Sequence, residues 1–320
     1  MPYQKILIFL KLLENVLKKN PSFGIFIAYE FQRSLYPYDP YLKFKIKELY
    51  NRIDFVLIKL ISLSKIILTF DFHKSNFNTK NYNKIYNVYF NIFSRVKYNN
   101  KIVNNYLKKL FKKIIFKNKV VLDVGSGSGS FLSAFLSLNV KKIYSLDFNN
   151  LIKLQKMNYK DKRIKYLSGN LAHIKIKKKF DFIFCNGVLG YQKNLDKVLR
   201  KYYNVLKSDG TIYFSLYTNY GLFWKIRMSI NSMFKSIPMS YSIQAMKNLF
   251  IPNTRTVFLD NWYNPNEKQH DYKKIVRILK KLKYNFELLP SVRKIDIIHS
   301  KKYFDFYGHG ELRFLIYKSG

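Results

Sequence analysis

The stretch Val120-Val121-Leu122-Asp123-Val124-Gly125-Ser126-Gly127-Ser128-Gly129-Ser130-Phe131 limits the fold more than any other part of the chain. Five residues, mostly apolar and β-branched, read as a strand buried on both faces, as in a parallel sheet. Three glycines at alternate positions then turn the chain, and Phe131-Leu132 resumes an apolar pattern at helical spacing. Glycine is needed where backbone passes close to a ligand, because a Cβ would occupy that space. The following helix points unpaired N–H groups and a positive dipole end toward the loop. The stretch therefore reads as a nucleotide-sized binding turn at the carboxyl end of a first strand. A P-loop is excluded, since no Gly-Lys-Ser/Thr follows, and the dinucleotide pattern G-x-G-x-x-G would need its third glycine at Ser130.

The rest of an alternating strand-and-helix pattern follows in order. Lys142 to Asp147 reads as a second strand ending in an acid, 24 residues after Asp123. An acid at about this distance is placed to accept two hydrogen bonds from ribose hydroxyls; an ordinary solvated strand-end aspartate is the alternative. Ile164 to Leu171 gives a third strand and Phe180 to Leu189 a fourth strand with its loop. Apolar residues at 195, 198, 199, 202, 205 and 206 repeat with helical period. Lys207-Ser208-Asp209-Gly210 then closes that helix, and Thr211 to Leu216 is the fifth strand. Phe286 to Leu289 and Leu312 to Tyr317 read as the sixth and seventh.

With the acid, the G-x-G-x-G loop and the later motifs in this order, the chain resembles the class I S-adenosylmethionine-dependent methyltransferases, in the type 11/12-like small-molecule branch. The resemblance implies a Rossmann-like, seven-stranded, mostly parallel sheet with helices on both faces, whose last strand inserts antiparallel between the fifth and sixth. It implies S-adenosyl-L-methionine as cofactor, with the glycine loop against its methionine part. The residues it assigns to the cofactor are Asp123, Gly125, Ser126, Gly127, Gly129, Asp147, Phe148, Asn170, Leu171 and Asn186. Two positions depart from the family. Asn170 stands where an Asp usually bonds the adenine amino group, although an amide oxygen can accept the same bond. Ser208-Asp209 replaces the usual Pro-Gly of the turn before the fifth strand.

The acceptor is narrowed by what the motifs lack. The fourth strand ends Asn186-Gly187-Val188-Leu189, not the Asn/Asp-Pro-Pro-aromatic loop of adenine-amino methyltransferases, and no Pro-Cys pair offers a covalent thiolate for cytosine C5. No other DNA-specific motif is found. The five histidines are far apart without ligand spacing, so no metal is expected. The expected enzyme methylates an oxygen, nitrogen or carbon of a small-molecule, glycan or lipid-like acceptor. The alternatives are a tRNA-modifying methyltransferase and a non-catalytic basic scaffold on RNA or membrane. An Asp and a His near a cleft can take a proton from an acceptor, so Asp260 and His270 are the candidate catalytic residues. A His satisfied by capping at a helix start is the other reading of His270.

The flanks complete the organisation. Residues 1–80 are expected as an N-terminal helical extension and 81–320 as the methyltransferase domain, with a helical lid insertion at about 217–260. Ile6, Phe9, Leu10, Leu13, Val16 and Leu17 form one helical face, stopped by Asn20-Pro21. Ile46, Leu49, Ile53, Val56, Leu60, Leu63, Ile67 and Phe70 give a helix-packing seam, either a coiled-coil dimer or an intrachain hairpin. Asp71 to Asn83 reads as a linker. Val103, Tyr106, Leu107, Leu110, Phe111, Ile114 and Ile115 make an apolar stripe expected to pack on the sheet, a basic amphipathic helix lying on a membrane being the alternative. The insertion's Met and aromatic residues suit an adaptable pocket over the site.

Charge is the remaining feature. Lys plus Arg number 58 against 19 Asp plus Glu, a formal +39. Such a field attracts phosphates, hence weak association with RNA or anionic membrane. AT-rich codon usage is the competing explanation, because the lysines are spread along the sequence without a dense block. No signal peptide or membrane-spanning segment is evident, and the single Cys185 fits a reducing compartment. A cytoplasmic protein, at most peripheral on a membrane, is expected.

Overall fold

The computed structural model describes residues 3–35, 46–69, 105, 107–108, 110–218, 220–248, 259, 262–263, 270–289, 305–308 and 310–318. The chain divides into two compact units. One comprises Met1–Ile92, Gly221–Pro265 and Arg293–Gly308; the other comprises Phe93–Tyr220, Asn266–Val292 and His309–Gly320.

The second unit is a seven-stranded sheet. Its strands are β1 (Val120–Val124), β2 (Lys142–Asp147), β3 (Ile164–Ser168), β4 (Phe180–Cys185), β5 (Leu206–Tyr217), β6 (Asn285–Leu288) and β7 (Glu311–Tyr317). They lie in the order β3-β2-β1-β4-β5-β7-β6. The first five run parallel, and β7 is antiparallel to both β5 and β6. This is the Rossmann-like arrangement expected from the motifs, with the last strand in the expected slot.

Side chains alternate across this sheet, as the two-residue period of a strand requires. Val120, Leu122 and Val124 face one core with Ile183, Cys185, Phe214 and Phe314, whereas Val121 faces the other with Phe182, Phe184 and Tyr213. The first face is covered by the segment 171–179, by α6 (Leu195–Asn204) and by α9 (Tyr272–Lys281). The second is covered by α4 (Leu132–Ser137) and by the segment before β1. There Leu107, Leu110 and Phe111 are buried and Ile114 packs beside them, whereas Ile115, the last residue of the expected stripe, is 76% exposed. Phe111, Phe116, Phe135, Phe182 and Tyr213 meet there mostly edge to face, the geometry that aromatic quadrupoles favour. The remaining helix of this unit is α5 (Asn149–Asn158), between β2 and β3.

The turn expected at 207–210 lies inside a longer β5. Helix α6 ends at Asn204, and Leu206 already pairs with Phe180; the register then jumps so that Thr211 pairs with Phe182. Residues 207–210 bulge out of the ladder, with Asp209 at φ 60°. The apolar residue at 206 belongs to the strand, because a buried β5 start also needs an apolar side chain.

The first unit contains α1 (Tyr3–Lys19), α2 (Pro21–Leu35) and α3 (Ile46–Thr69), which pack on one another. Helix α2 was not legible in the sequence, where Asn20-Pro21 reads only as a stop. The pair is also a start. Proline suits the first helical position, and the Asn20 side chain accepts the Phe23 N–H at 3.2 Å while its carbonyl accepts the Gly24 N–H. The α3 seam faces its own chain through Ile53, Leu57, Leu60, Ser64 and Ile67, a slightly rotated version of the expected one, with Val56 and Leu63 only half-buried. The insertion forms α7 (Leu222–Phe234) and α8 (Met239–Asn248), which pack against α1 and α2 respectively. Gly221 (φ 103°) starts α7 where the backbone of Tyr307-Gly308 passes so closely that a Cβ would lie 2.6 Å from it. The expected linker at Asp71–Asn83 lies outside the described residues.

Candidate active site

Every turn that could shape a ligand site in the sheet unit leaves the same edge, because parallel strands all end there; ligands of open α/β sheets bind at that edge. The loop after β1 is tied down from beneath. The Gly125 and Ser126 N–H groups both donate to the Leu146 carbonyl, at 2.8 and 3.2 Å. Gly125, Gly127 and Gly129 all have positive φ, at 69°, 58° and 84°. Around Gly127, a Cβ would meet no protein atom within 4 Å, so the loop presents bare backbone to open space.

Asp147, at the end of β2, receives two backbone donors. Gly127 N–H binds Oδ2 and Phe148 N–H binds Oδ1, each at 2.7 Å. Its carboxylate therefore sits against the glycine loop and locks the two turns together. Burial pushes Asp147 up to about 6, against the opposing pull of those two N–H groups. Asp123 is more deeply enclosed. Burial first, and then the charge of Asp147, push its carboxyl well above the usual carboxylate range, and Oδ2 is buried without a hydrogen-bond partner. An orphaned acceptor of this kind is rare in folded proteins.

A buried polar network under the loop was missed in the sequence. The Gln155 amide donates to Ser126 Oγ at 2.8 Å and to the Gly127 carbonyl at 2.7 Å. The Ser145 hydroxyl lies between Ser126 Oγ (2.7 Å) and Gln155 Oε1 (2.5 Å). Ser145 and Gln155 are both fully buried. The available signal was a hydroxyl inside an apolar strand and an amide on the inward side of α5.

The other assigned residues take distinct positions. Phe148 is 43% exposed beside the Asp147 turn. The Asn170 side-chain oxygen accepts the Ala172 N–H at 2.8 Å, so local backbone uses one of the lone pairs expected for a base amino group. Leu171 is buried, and its carbonyl accepts from Tyr202 Oη and Lys201 Nζ, both at 2.8 Å. Asn186, after β4, accepts from Ser215 Oγ at 3.2 Å and Tyr213 Oη at 3.3 Å, while Ser215 Oγ accepts the Gly187 N–H at 2.8 Å. Ser215 and Tyr213 are further residues that sequence motifs did not reveal.

Of the two catalytic candidates, His270 is at the edge and Asp260 lies outside the described residues. His270 forms a bridge with Thr218 at the end of β5, donating its N–H to the Tyr217 carbonyl at 2.9 Å. Its ring Nε2 lies 3.0 Å from the Gly190 carbonyl in the β4 loop. A carbonyl can only accept, so Nε2 carries a proton. The helix cap is the next residue, Asp271, whose side chain accepts the Lys274 N–H. Near Asp260, Trp262 and Tyr263 are buried in the first unit, bonded to Gln32 and Ser242 respectively.

These residues fit a nucleoside-methionine cofactor. The glycine backbone is open where the methionine part would lie, Asp147 stands at the strand end that faces a ribose, and the buried Asp123 Oδ2 beneath the loop has no hydrogen-bond partner within the protein.

Residues 122–214 match the family model of the methyltransferase domain. Over these residues the chain is similar to the methyltransferase domain that the family model describes. Among curated proteins, tRNA U34 carboxymethyltransferase of Helicobacter pylori (strain Shi470) is 35% identical over 103 residues, covering 30% of this chain and 40% of that protein. Malonyl-[acyl-carrier protein] O-methyltransferase of Calditerrivibrio nitroreducens is 26% identical over 98 residues, covering 30% of this chain and 38% of that protein. The chain thus spans well under half the length of these curated relatives. Among solved structures, magnesium protoporphyrin IX methyltransferase from Synechocystis PCC 6803 with bound SAH aligns with a TM-score of 0.46 at 12% identity, covering 73% of this chain and 94% of that one. No helix of the described residues is long and apolar enough to cross a membrane.

Proposed function

We propose that the protein transfers a methyl group from S-adenosyl-L-methionine to an oxygen, nitrogen or carbon of an acceptor. The observation that carries this reading is the Gly127–Asp147 lock, in which bare glycine backbone and a strand-end carboxylate share one turn. Bound cofactor supplies a methyl already activated on a sulfonium. Asp147 orients the ribose hydroxyls, Phe148 and Leu171 flank the base, and Asn170 meets its edge. The sheet unit mainly contributes alignment, which by itself accounts for a large part of such rate enhancements. Where the acceptor nucleophile carries a proton, His270, held on the Gly190 carbonyl at the carboxyl edge of the sheet, is one candidate to take it and Asp260 is the second.

The first acceptor class is a small-molecule, glycan or lipid-like compound, in keeping with the name of the malonyl-carrier-protein methyltransferase relative. The second is tRNA, supported by the name of the carboxymethyltransferase relative and by the +39 charge. Incubation with methyl-labelled cofactor and separate small-molecule, lipid and tRNA fractions tests the choice. Label in one fraction that is lost with His270→Ala supports methyl transfer with His270 as base. Label that persists in that variant removes His270 from the chemistry, and no label in any fraction counts against the transferase reading.

A further inference from the structure

The lysines that look dispersed in the sequence converge in the fold. Three elements cover one face of the sheet, and contacts join them edge to edge. The segment 171–179 is bound to α6 through the Leu171 carbonyl, which accepts from Lys201 and Tyr202. Helix α6 is joined to the end of α9 by Tyr203 stacked on Tyr284, ring centroids 4.1 Å apart. Each element buries its apolar side in the same core, so its charged side faces outward.

The outward residues are almost all cations. The first element exposes Lys175, Lys177, Lys178 and Lys179; α6 exposes Lys197 and Arg200. Helix α9 and its end expose Lys273, Lys274, Arg277, Lys280, Lys281 and Lys283. Against these twelve cations, the same elements expose only Asp196 and Asp271, and Asp271 is engaged as the cap of α9. Among the described residues, none of the twelve is in an ion pair.

We infer that this face binds the phosphodiester backbone of a structured RNA. The inference deepens the tRNA reading above. A layer of unpaired cations matches a polyanion through counterion release. The face exposes no large apolar residue among these elements, so it has nothing to insert into a lipid surface. Its helices lie flat on the sheet with their apolar sides buried, which suits backbone contact. Duplex RNA is recognised in that way, by phosphates and shape.

The test measures fluorescence anisotropy of a labelled RNA hairpin against the full-length protein across salt concentrations, without cofactor. The variant K178Q/R277Q/K280Q/K281Q is compared with K108Q/K112Q/K113Q/K117Q, which removes equal charge from the other side of the sheet. The expected result is that the first variant binds at least about tenfold more weakly and loses about 3 from the slope of log affinity against log salt, at roughly 0.7–0.9 per phosphate contact. The control variant should stay within about twofold of wild type. Equal weakening in both variants, no RNA binding by wild type, or binding to anionic vesicles but not RNA would each overturn the inference. Because cofactor is absent, failure here leaves the methyltransferase reading untouched, and failure of cofactor titration leaves this one untouched.

Discussion

Gln155→Leu removes three hydrogen bonds from beneath the cofactor loop while keeping the side chain's bulk. The lost bonds are those to Ser126 Oγ, to the Gly127 carbonyl and from Ser145 Oγ. At about 1 kcal/mol net per buried bond, the loss is about 3 kcal/mol. The two serine hydroxyls still satisfy each other at 2.7 Å, so the Gly127 carbonyl is the group left without its partner. For a unit of this size each kcal/mol lowers Tm by about 2–4 °C, so melting should fall by about 6–12 °C. Because Gly127 is the residue that engages Asp147, cofactor affinity should fall about tenfold as well, the equivalent of about 1.4 kcal/mol. Thermal unfolding and calorimetric titration read the two effects. A Tm within about 1 °C of wild type for this variant would refute this account of the loop.

Three further outcomes follow from the same geometry. Asp147 titrates near 6 in the folded state against 3.8 as its ordinary value, so the folded state holds the proton more tightly. Its contribution to stability is therefore full below about pH 4 and lost as pH rises through 6, by up to about 3 kcal/mol. Cofactor binding needs the carboxylate and should be about tenfold weaker at pH 5 than at pH 8; chemical denaturation and titration against pH check both, with Asp147→Asn abolishing the dependence. Asp181→Ala, at the opposite end of the sheet, frees the Val120 N–H and breaks the 2.8 Å pair with Lys207; it should cost about 1–2 kcal/mol in urea unfolding and leave cofactor affinity unchanged. Gly127→Ala forces a side chain into φ 58°, which costs about 1–2 kcal/mol, and projects a methyl into the space reserved for cofactor, so titration should show binding weakened far more than the Tm shift alone implies.

The sheet was legible because each parallel strand is a short apolar run ended by a turn signal, and the order of those runs is the topology. The glycine loop and Asp147 were legible because few residue types suit those backbone positions. Gln155, Ser145, Ser215 and Tyr213 were not, since a polar residue on a helix or strand shows its partner only once distant elements are brought together. Helix α2 was hidden because Asn20-Pro21 serves both to stop α1 and to start α2. The basic face was hidden for a related reason: its three elements are separated by up to about a hundred residues in sequence and are joined in the fold at Leu171 and Tyr284.

The most direct test of the cofactor site is calorimetric titration of S-adenosyl-L-methionine into the purified chain, with Asp147→Ala measured beside it. Micromolar binding by wild type that is lost or greatly weakened in the variant is the expected result. A folded wild type that binds no cofactor, or a variant that binds as tightly as wild type, would contradict it.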